Sequence, residues 1–297
     1  MEILKECPVC KANTFENFLK CKDFTVSQEL FQIVHCNSCG LKFTNPRPNT
    51  AEIGRYYESA EYISHSNSKK GLINKLYQLV RKRAIQGKLN ILEKEVGELK
   101  RNILDIGCGT GEFLSICKEK GWETKGIEPN KNARLQGIQN YNLKIEEEGY
   151  LDALNDHYSI ITLWHVLEHV HKLRERVKQI HDHLSEGGKA IIAVPNYTSA
   201  DAVKYREYWA AYDVPRHLYH FSPAVIKKLF REEGFKHTRS IAMLFDSYYV
   251  SMLSEKYRNG KNNLPSAFLS GLMSNIKASN NPENYSSVIY IFQKEKN

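Results

Sequence analysis

The stretch NILDIGCGTGEFLSICKEKG, from Asn102 to Gly121, decides how the chain folds. Ile103-Leu104-Asp105-Ile106 is a short apolar run of strand type. Gly107-Cys108-Gly109-Thr110-Gly111 then turns the chain, and the residues from Glu112 onward carry apolar side chains at helical spacing. Strand, glycine turn and helix in succession bring backbone amides and a helix N-terminus together, and the glycines let a ligand approach without interference from Cβ.

Dinucleotide-binding domains use a similar turn, but their fingerprint requires a third glycine at position 112, where this chain has Glu112. GxGxG directly after an acidic strand residue suits S-adenosylmethionine, with Asp105 ordering the loop or meeting the methionine amino group. Downstream, Thr124 to Ile127 reads as a second strand ending in Glu128-Pro129-Asn130. A carboxylate at that strand end, about 20 residues beyond the turn, can accept both ribose hydroxyls.

The α/β rhythm continues with a helix from Lys131, a short strand near Leu143 and a strong strand from Ser159 to Leu163. A helix with apolar positions Val170, Leu173, Val177, Ile180 and Leu184 is expected to end at Gly187-Gly188. Lys189 to Val194, Lys236 to Ala242 and Ser287 to Gln293 read as strands, and Pro223 to Glu233 as a helix. Such alternation implies an open sheet covered on both faces, with its ligand at the strands' C-terminal ends.

LDIGCGTGEFL, GIEPN, IITLWHVLEHV and LSEGGKAIIAVPN, in that order, resemble the successive motifs of class I methyltransferases of the ubiquinone-biosynthesis-like group. The resemblance covers residues 102 to about 240. It implies a Rossmann-like seven-stranded α/β sheet whose last strand is antiparallel. It also implies S-adenosylmethionine contacts from Asp105, Gly107, Gly109, Glu128 and the segment Leu163, Trp164 and His165; Cys108 and Gly111, within the same turn, join that candidate set.

Ahead of this domain, Cys7-Pro-Val-Cys10 and Cys36-Asn-Ser-Cys39 form two CxxC knuckles, whose four thiolates suit the corners of a zinc tetrahedron. Strands around Phe15 to Cys21 and Phe31 to His35 would bring the knuckles together. Four cysteine ligands leave no position for water, so a zinc ion here is expected to be structural. The expected division is a zinc ribbon at 1–45, a linking and substrate-covering segment at 46–100, and a methyltransferase domain at 101–297 with an insert at 244–284. NPRPNT, with two prolines, looks like a hinge between modules. Tyr56, Tyr57 and Tyr62 follow it and are candidates to cover a bound substrate.

The ribbon, the tyrosine-rich segment and Glu168-His169 are also similar to bacterial deoxysugar C-methyltransferases acting on nucleotide-linked sugars, in which the Glu-His pair lies at the site of proton removal. Those enzymes have an additional large C-terminal domain, whereas this sequence ends at Asn297. Transfer from a sulfonium needs alignment above all, and a base helps when the acceptor is a hydroxyl or carbon acid. His169 with Glu168 is the first candidate and His217 the second, while His165 is expected to shape the cofactor pocket. A metal-assisted role for Glu168, His169 and His217 ranks lower, because the carboxylate-rich pattern of magnesium sites is absent.

The net charge of +8 is concentrated in residues 69–101, with ten Lys or Arg against three Glu, so the helix there could face phosphates or simply solvent. The expected partner is a small-molecule acceptor such as a sugar, polyketide or quinone. The alternative is an RNA methyltransferase holding RNA with ribbon and basic helix, but Trp-His-Val after Leu163 differs from the Asn/Asp-Pro-Pro-aromatic motif of many base-amine methylators. A binding protein with a degenerate cofactor pocket fits poorly with the intact GxGxG turn and Glu128. The N-terminus lacks a signal-peptide pattern and no stretch approaches about 18 consecutive apolar residues, so a cytoplasmic location is expected.

Overall fold

A computed structural model describes residues 1–58, 72–261 and 263–295, the first long helix by its backbone alone as far as residue 80. After the first knuckle come β1 (Phe15–Lys22), β2 (Leu30–Cys36) and β3 (Lys42–Thr44), then helix α1 (Leu72–Val96). The glycine-turn segment gives β4 (Asn102–Ile106) and α2 (Glu112–Glu119). β5 (Glu123–Ile127), α3 (Lys131–Tyr141), β6 (Ile145–Glu146), β7 (Tyr158–Trp164) and α4 (Leu173–His183) follow. The chain continues through β8 (Leu184–Pro195), α5 (Ala200–Tyr205), β9 (Tyr219–His220), α6 (Pro223–Glu232) and β10 (Phe235–Ala242). Two further helices, α7 (Asp246–Asn259) and α8 (Leu264–Ala278), precede β11 (Ser287–Lys294).

Seven strands form the main sheet in the order β10-β11-β8-β7-β4-β5-β6. β4 to β8 run parallel, and β11 is antiparallel to both its neighbours, as the motif resemblance implied. All five residues of β4 are buried, the pattern of a strand covered on both faces. One face packs Val177 and Ile180 of α4 with Leu229 and Phe230 of α6, and the other packs Leu89 and Leu92 of α1 with Leu114 and Cys117 of α2. Because β4 has β5 on one side and β7 on the other, the connections diverge at its C-terminal end and open a crevice there.

The expected helix end at Gly187-Gly188 is corrected: α4 stops at His183, and Leu184 already pairs with Tyr158 as the start of β8. Pairing with a neighbouring strand overrides the local glycine signal.

The expected hinge is also corrected. The ribbon sheet, β1-β2-β3-β9, takes its fourth strand from Tyr219–His220, far along the chain. Arg47, within NPRPNT, is 5% exposed and donates to the Tyr219 hydroxyl (2.9 Å) and the His171 carbonyl (3.3 Å). Val9, Cys36 and Phe43 share one apolar core with Ile161 and Leu163 of β7. A segment so buried and bonded fixes the four-stranded sheet against the main one. No helix among the described residues is long and apolar enough to cross a membrane.

Candidate active site

At the crevice, the positive-φ positions of the turn are all glycines: Gly107 at +74°, Gly109 at +56° and Gly111 at +78°. At Gly107 a Cβ would lie 2.4 Å from Val166, so the turn sits directly against the segment after β7. At Gly109, its chain neighbours aside, no atom of the described residues lies within 4 Å of a Cβ position. Cys108 completes the turn by donating its N–H to the Ile127 carbonyl (3.1 Å). Glu128, 8% exposed, accepts from the Gly109 N–H through Oε2 and from the Asn130 N–H through Oε1, both at 2.8 Å. Arg134 steadies the same bend by donating to the Glu128 and Pro129 carbonyls, each at 2.8 Å.

Asp105 lies opposite Thr162 in the β4–β7 register, and the Thr162 hydroxyl donates to it at 2.6 Å. Burial pushes the Asp105 carboxyl up to about 7, against the opposing pull of Thr162 and Lys88. Leu163 is fully buried, whereas Trp164 packs edge-on to Phe113 and has the Lys88 ammonium 4.4 Å from its ring. The buried Trp164 indole N–H has no hydrogen-bond partner among the described residues. Lys88, half-buried on α1 over the Phe113 and Trp164 rings, is a residue that charge counting did not single out.

The segment after β7 gathers the candidate acid–base groups. His165, at a φ of +56°, lies between Glu168 Oε1 (3.3 Å) and Asp246 Oδ2 (3.0 Å), one residue on each ring nitrogen. Burial opposes its charge, but Asp246 and Glu168 outweigh that and hold it up to about 10. His165 is therefore an imidazolium clamp that ties the start of α7 to the β7 edge, and Asp246 was invisible to local sequence reading because it lies 81 residues away.

Glu168 is completely buried. Burial would raise its carboxyl, yet His165 and the neighbouring imidazoles hold it below the usual carboxylate range. Its Oε2 has no partner among the described residues. The His169 and His217 rings meet edge to face with centroids 4.6 Å apart. The His169 Nδ1–H points to the Arg216 carbonyl (3.0 Å) and to the Tyr57 hydroxyl oxygen (3.0 Å). The His217 Nδ1–H donates to the Ala211 carbonyl (2.8 Å). In both rings Nε2 is thus left as the nitrogen carrying a lone pair. Burial, then the nearby His217, lowers His169 to about 4, so it is a neutral imidazole at neutral pH.

Of the three tyrosines, Tyr57 is at the site through His169. Tyr56 is corrected: it is fully buried against Phe31, and its hydroxyl donates to Glu29 at 2.8 Å, so it is a core residue. Tyr62 lies outside the described residues. The carbonyl that orients His169 belongs to Arg216, itself 1% exposed and paired with Asp23 of the ribbon at 3.0 Å. The four knuckle cysteines converge, with Cys7 and Cys39 sulfurs 3.5 Å apart and those of Cys10 and Cys36 also 3.5 Å apart.

Solved structures share this fold at low identity. A SAM-dependent methyltransferase from Archaeoglobus fulgidus is 21% identical, covering 72% of this chain and 94% of that one at a TM-score of 0.50. A magnesium protoporphyrin IX methyltransferase from Synechocystis PCC 6803, with bound SAH, is 12% identical, covering 82% and 99% at 0.54. A [4+2]-cyclase, SpnF, is 13% identical and covers 85% and 99% at 0.56, so the likeness speaks to fold alone.

Among curated proteins, the ubiquinone biosynthesis O-methyltransferase of Aeromonas salmonicida (strain A449) is 29% identical over 114 residues, 36% of this chain and 48% of that protein. The enzyme of the same name from Yersinia pestis (strain Pestoides F) is 26% identical over 115 residues, 36% and 47%. The chain thus spans about half the length of the curated relatives it matches. The family model described as a methyltransferase domain matches residues 77–240, more than half of the sequence, and the chain belongs to that family.

Proposed function

We propose that the protein transfers a methyl group from S-adenosylmethionine to a hydroxyl or carbon of a small molecule, a sugar, polyketide, quinone or similar compound. Asp105 meets the methionine ammonium, the turn Gly107-Cys108-Gly109 with Gly111 cradles the nucleoside side, and Glu128 accepts the ribose hydroxyls. Leu163, Trp164 and His165 wall the pocket. The observation that supports this reading most is the convergence of Glu168, His169 and His217, with Glu168 Oε2 unpartnered among the described residues and Glu168-His169 on the segment that packs against Gly107.

The methyl carbon leaves sulfur as the acceptor's oxygen or carbon attacks in line; the C–S electron pair returns to sulfur and the acceptor loses a proton. The Glu168–His169–His217 group stands where that proton's departure is promoted, and Tyr57 helps to orient it. Replacing His169 by Gln tests this assignment, with turnover expected to fall while cofactor binding stays intact.

A single zinc ion held by Cys7, Cys10, Cys36 and Cys39 is part of the same reading. Their sulfurs all lie within 4.8 Å of one another, and Zn–S bonds of about 2.3 Å place tetrahedral sulfurs about 3.8 Å apart. The N–H groups of Val9 and Cys10 are directed at the Cys7 sulfur and those of Ser38 and Cys39 at Cys36, which suits thiolate ligands. Within this scheme residues 1–45 are the ribbon, 46–100 link and cover, and 101–297 carry the chemistry, with the insert at 244–284 supplying Asp246.

RNA ranks second as an acceptor. On the basic helix and just beyond it Arg81 is paired with Glu112 at 2.7 Å, Arg101 with Glu93, and Lys88 is turned inward over Trp164, which leaves less free charge than the composition promised.

A further inference from the structure

We propose that Glu168, His169 and His217 bind one divalent first-row transition-metal ion, and that the acceptor's oxygen is delivered to the methyl group while coordinated to that ion. This deepens the function proposed above and rests on its placing the acceptor at this group of residues.

Three observations carry the inference. The first is convergence: one ligand atom from each residue lies within 4.8 Å of the other two. Second, the carboxylate oxygen Oε2 of Glu168, in a side chain of zero exposure, has no partner among the described residues. A buried, unpaired charged oxygen is costly, and a cation is the partner that removes that cost.

Third, one atom of every ligand residue is already held. The Glu168 Oε1 atom is 3.3 Å from His165, which is itself anchored on Asp246. His169 gives its Nδ1–H to the Arg216 carbonyl and His217 gives its Nδ1–H to the Ala211 carbonyl. Fixing the tautomer and ring orientation through the outer nitrogen is how proteins prepare imidazoles for metals. Catalysis by imidazole alone would need one ring nitrogen, whereas here two imidazoles converge with a carboxylate that keeps one oxygen unpartnered among the described residues.

The donor set also selects the ion. Two imidazole nitrogens and one carboxylate suit manganese, iron, cobalt or zinc, while magnesium prefers oxygen donors alone. Three protein ligands leave coordination positions open, unlike the cysteine tetrahedron of the ribbon. A hydroxyl coordinated there is far more acidic than a free one. Its proton passes to solvent, the oxygen attacks the methyl carbon, and the C–S pair returns to sulfur. No oxidant or reductant is required.

The test uses the full chain, ribbon metal in place. Mn²⁺ is titrated against the protein and free ion followed by electron paramagnetic resonance; Co²⁺ and Zn²⁺ binding is followed by absorption and by elemental analysis after desalting. His169→Gln and His217→Gln are run beside the wild type, with melting curves to confirm that each is folded. The expected result is one further ion per chain, beyond the ribbon's, bound by the wild type and at least about tenfold more weakly by both variants.

Absence of a further equivalent of all three metals in the wild type, or equal binding by wild type and folded variants, overturns the site. Methyl transfer that persists through exhaustive chelation yet falls in His169→Gln also overturns it, and leaves the proposed function standing with His169 as a direct base. Metal binding that depends on both histidines in a protein that methylates no small molecule supports the site and defeats the function instead.

Discussion

Glu128→Ala should weaken cofactor binding in a way the structure allows to be sized. The carboxylate does two jobs at once: its oxygens accept the Gly109 and Asn130 N–H groups at 2.8 Å each, and in the proposed complex they accept the ribose hydroxyls as well. Hydrogen bonds to a charged group contribute about 1.5–3 kcal/mol each, but part of the loss on truncation is recovered by water entering the space. A net loss of roughly 2–3 kcal/mol follows, or about 30- to 160-fold in dissociation constant. Because two N–H groups lose their partner even without cofactor, the free protein should also lose about 1–3 kcal/mol of stability. Calorimetric titration with S-adenosylhomocysteine, paired with thermal denaturation, separates the two effects. Unchanged affinity in a folded Glu128→Ala protein would refute the ribose assignment.

Other expectations are more compact. His169→Gln should lower turnover by roughly 10² to 10⁴ while leaving homocysteine-cofactor affinity nearly unchanged; an active variant, once an acceptor is known, removes His169 from the mechanism. Elemental analysis should find one zinc per ribbon, and Cys36→Ser should lose it and lower the melting temperature; metal-free protein with four freely reactive thiols contradicts the tetrahedron. Asp105, held at about 7, must be ionised to attract the methionine ammonium, so S-adenosylmethionine affinity should rise with pH and fall up to tenfold per unit below about 7. In the free protein the same raised value has the opposite sign for stability, which decreases as pH climbs from the ordinary carboxylate range toward 7. A flat affinity profile between pH 5.5 and 8, identical in Asp105→Asn, would remove Asp105 from the cofactor's contacts.

What could be read from the sequence was local. Asn102–Ile106, the glycine turn and Glu128 are each set by neighbours within a few residues, so period and turn chemistry found them at nearly their final boundaries. The end of α4 was misplaced because Leu184 is claimed by Tyr158 across the sheet, a contact no local pattern encodes. Tyr56 and Tyr57 are adjacent and chemically alike, yet one is sealed under Phe31 and the other reaches His169; only the path of the backbone separates them. His169 and His217 are both candidates in the sequence, but the carbonyls that fix their tautomers, at Arg216 and Ala211, follow from tertiary structure alone. The same holds for the Asp23–Arg216 pair, which spans 193 residues and ties the ribbon to the loop that orients His169.

The central claim is that the crevice beyond β4 holds S-adenosylmethionine, and direct titration of the wild-type chain tests it most plainly. One molecule of S-adenosylhomocysteine per chain should bind saturably below about 1 mM, the usual range for enzyme ligands, and an excess of NAD should not displace it. No binding at that concentration, or displacement by NAD, would contradict the account.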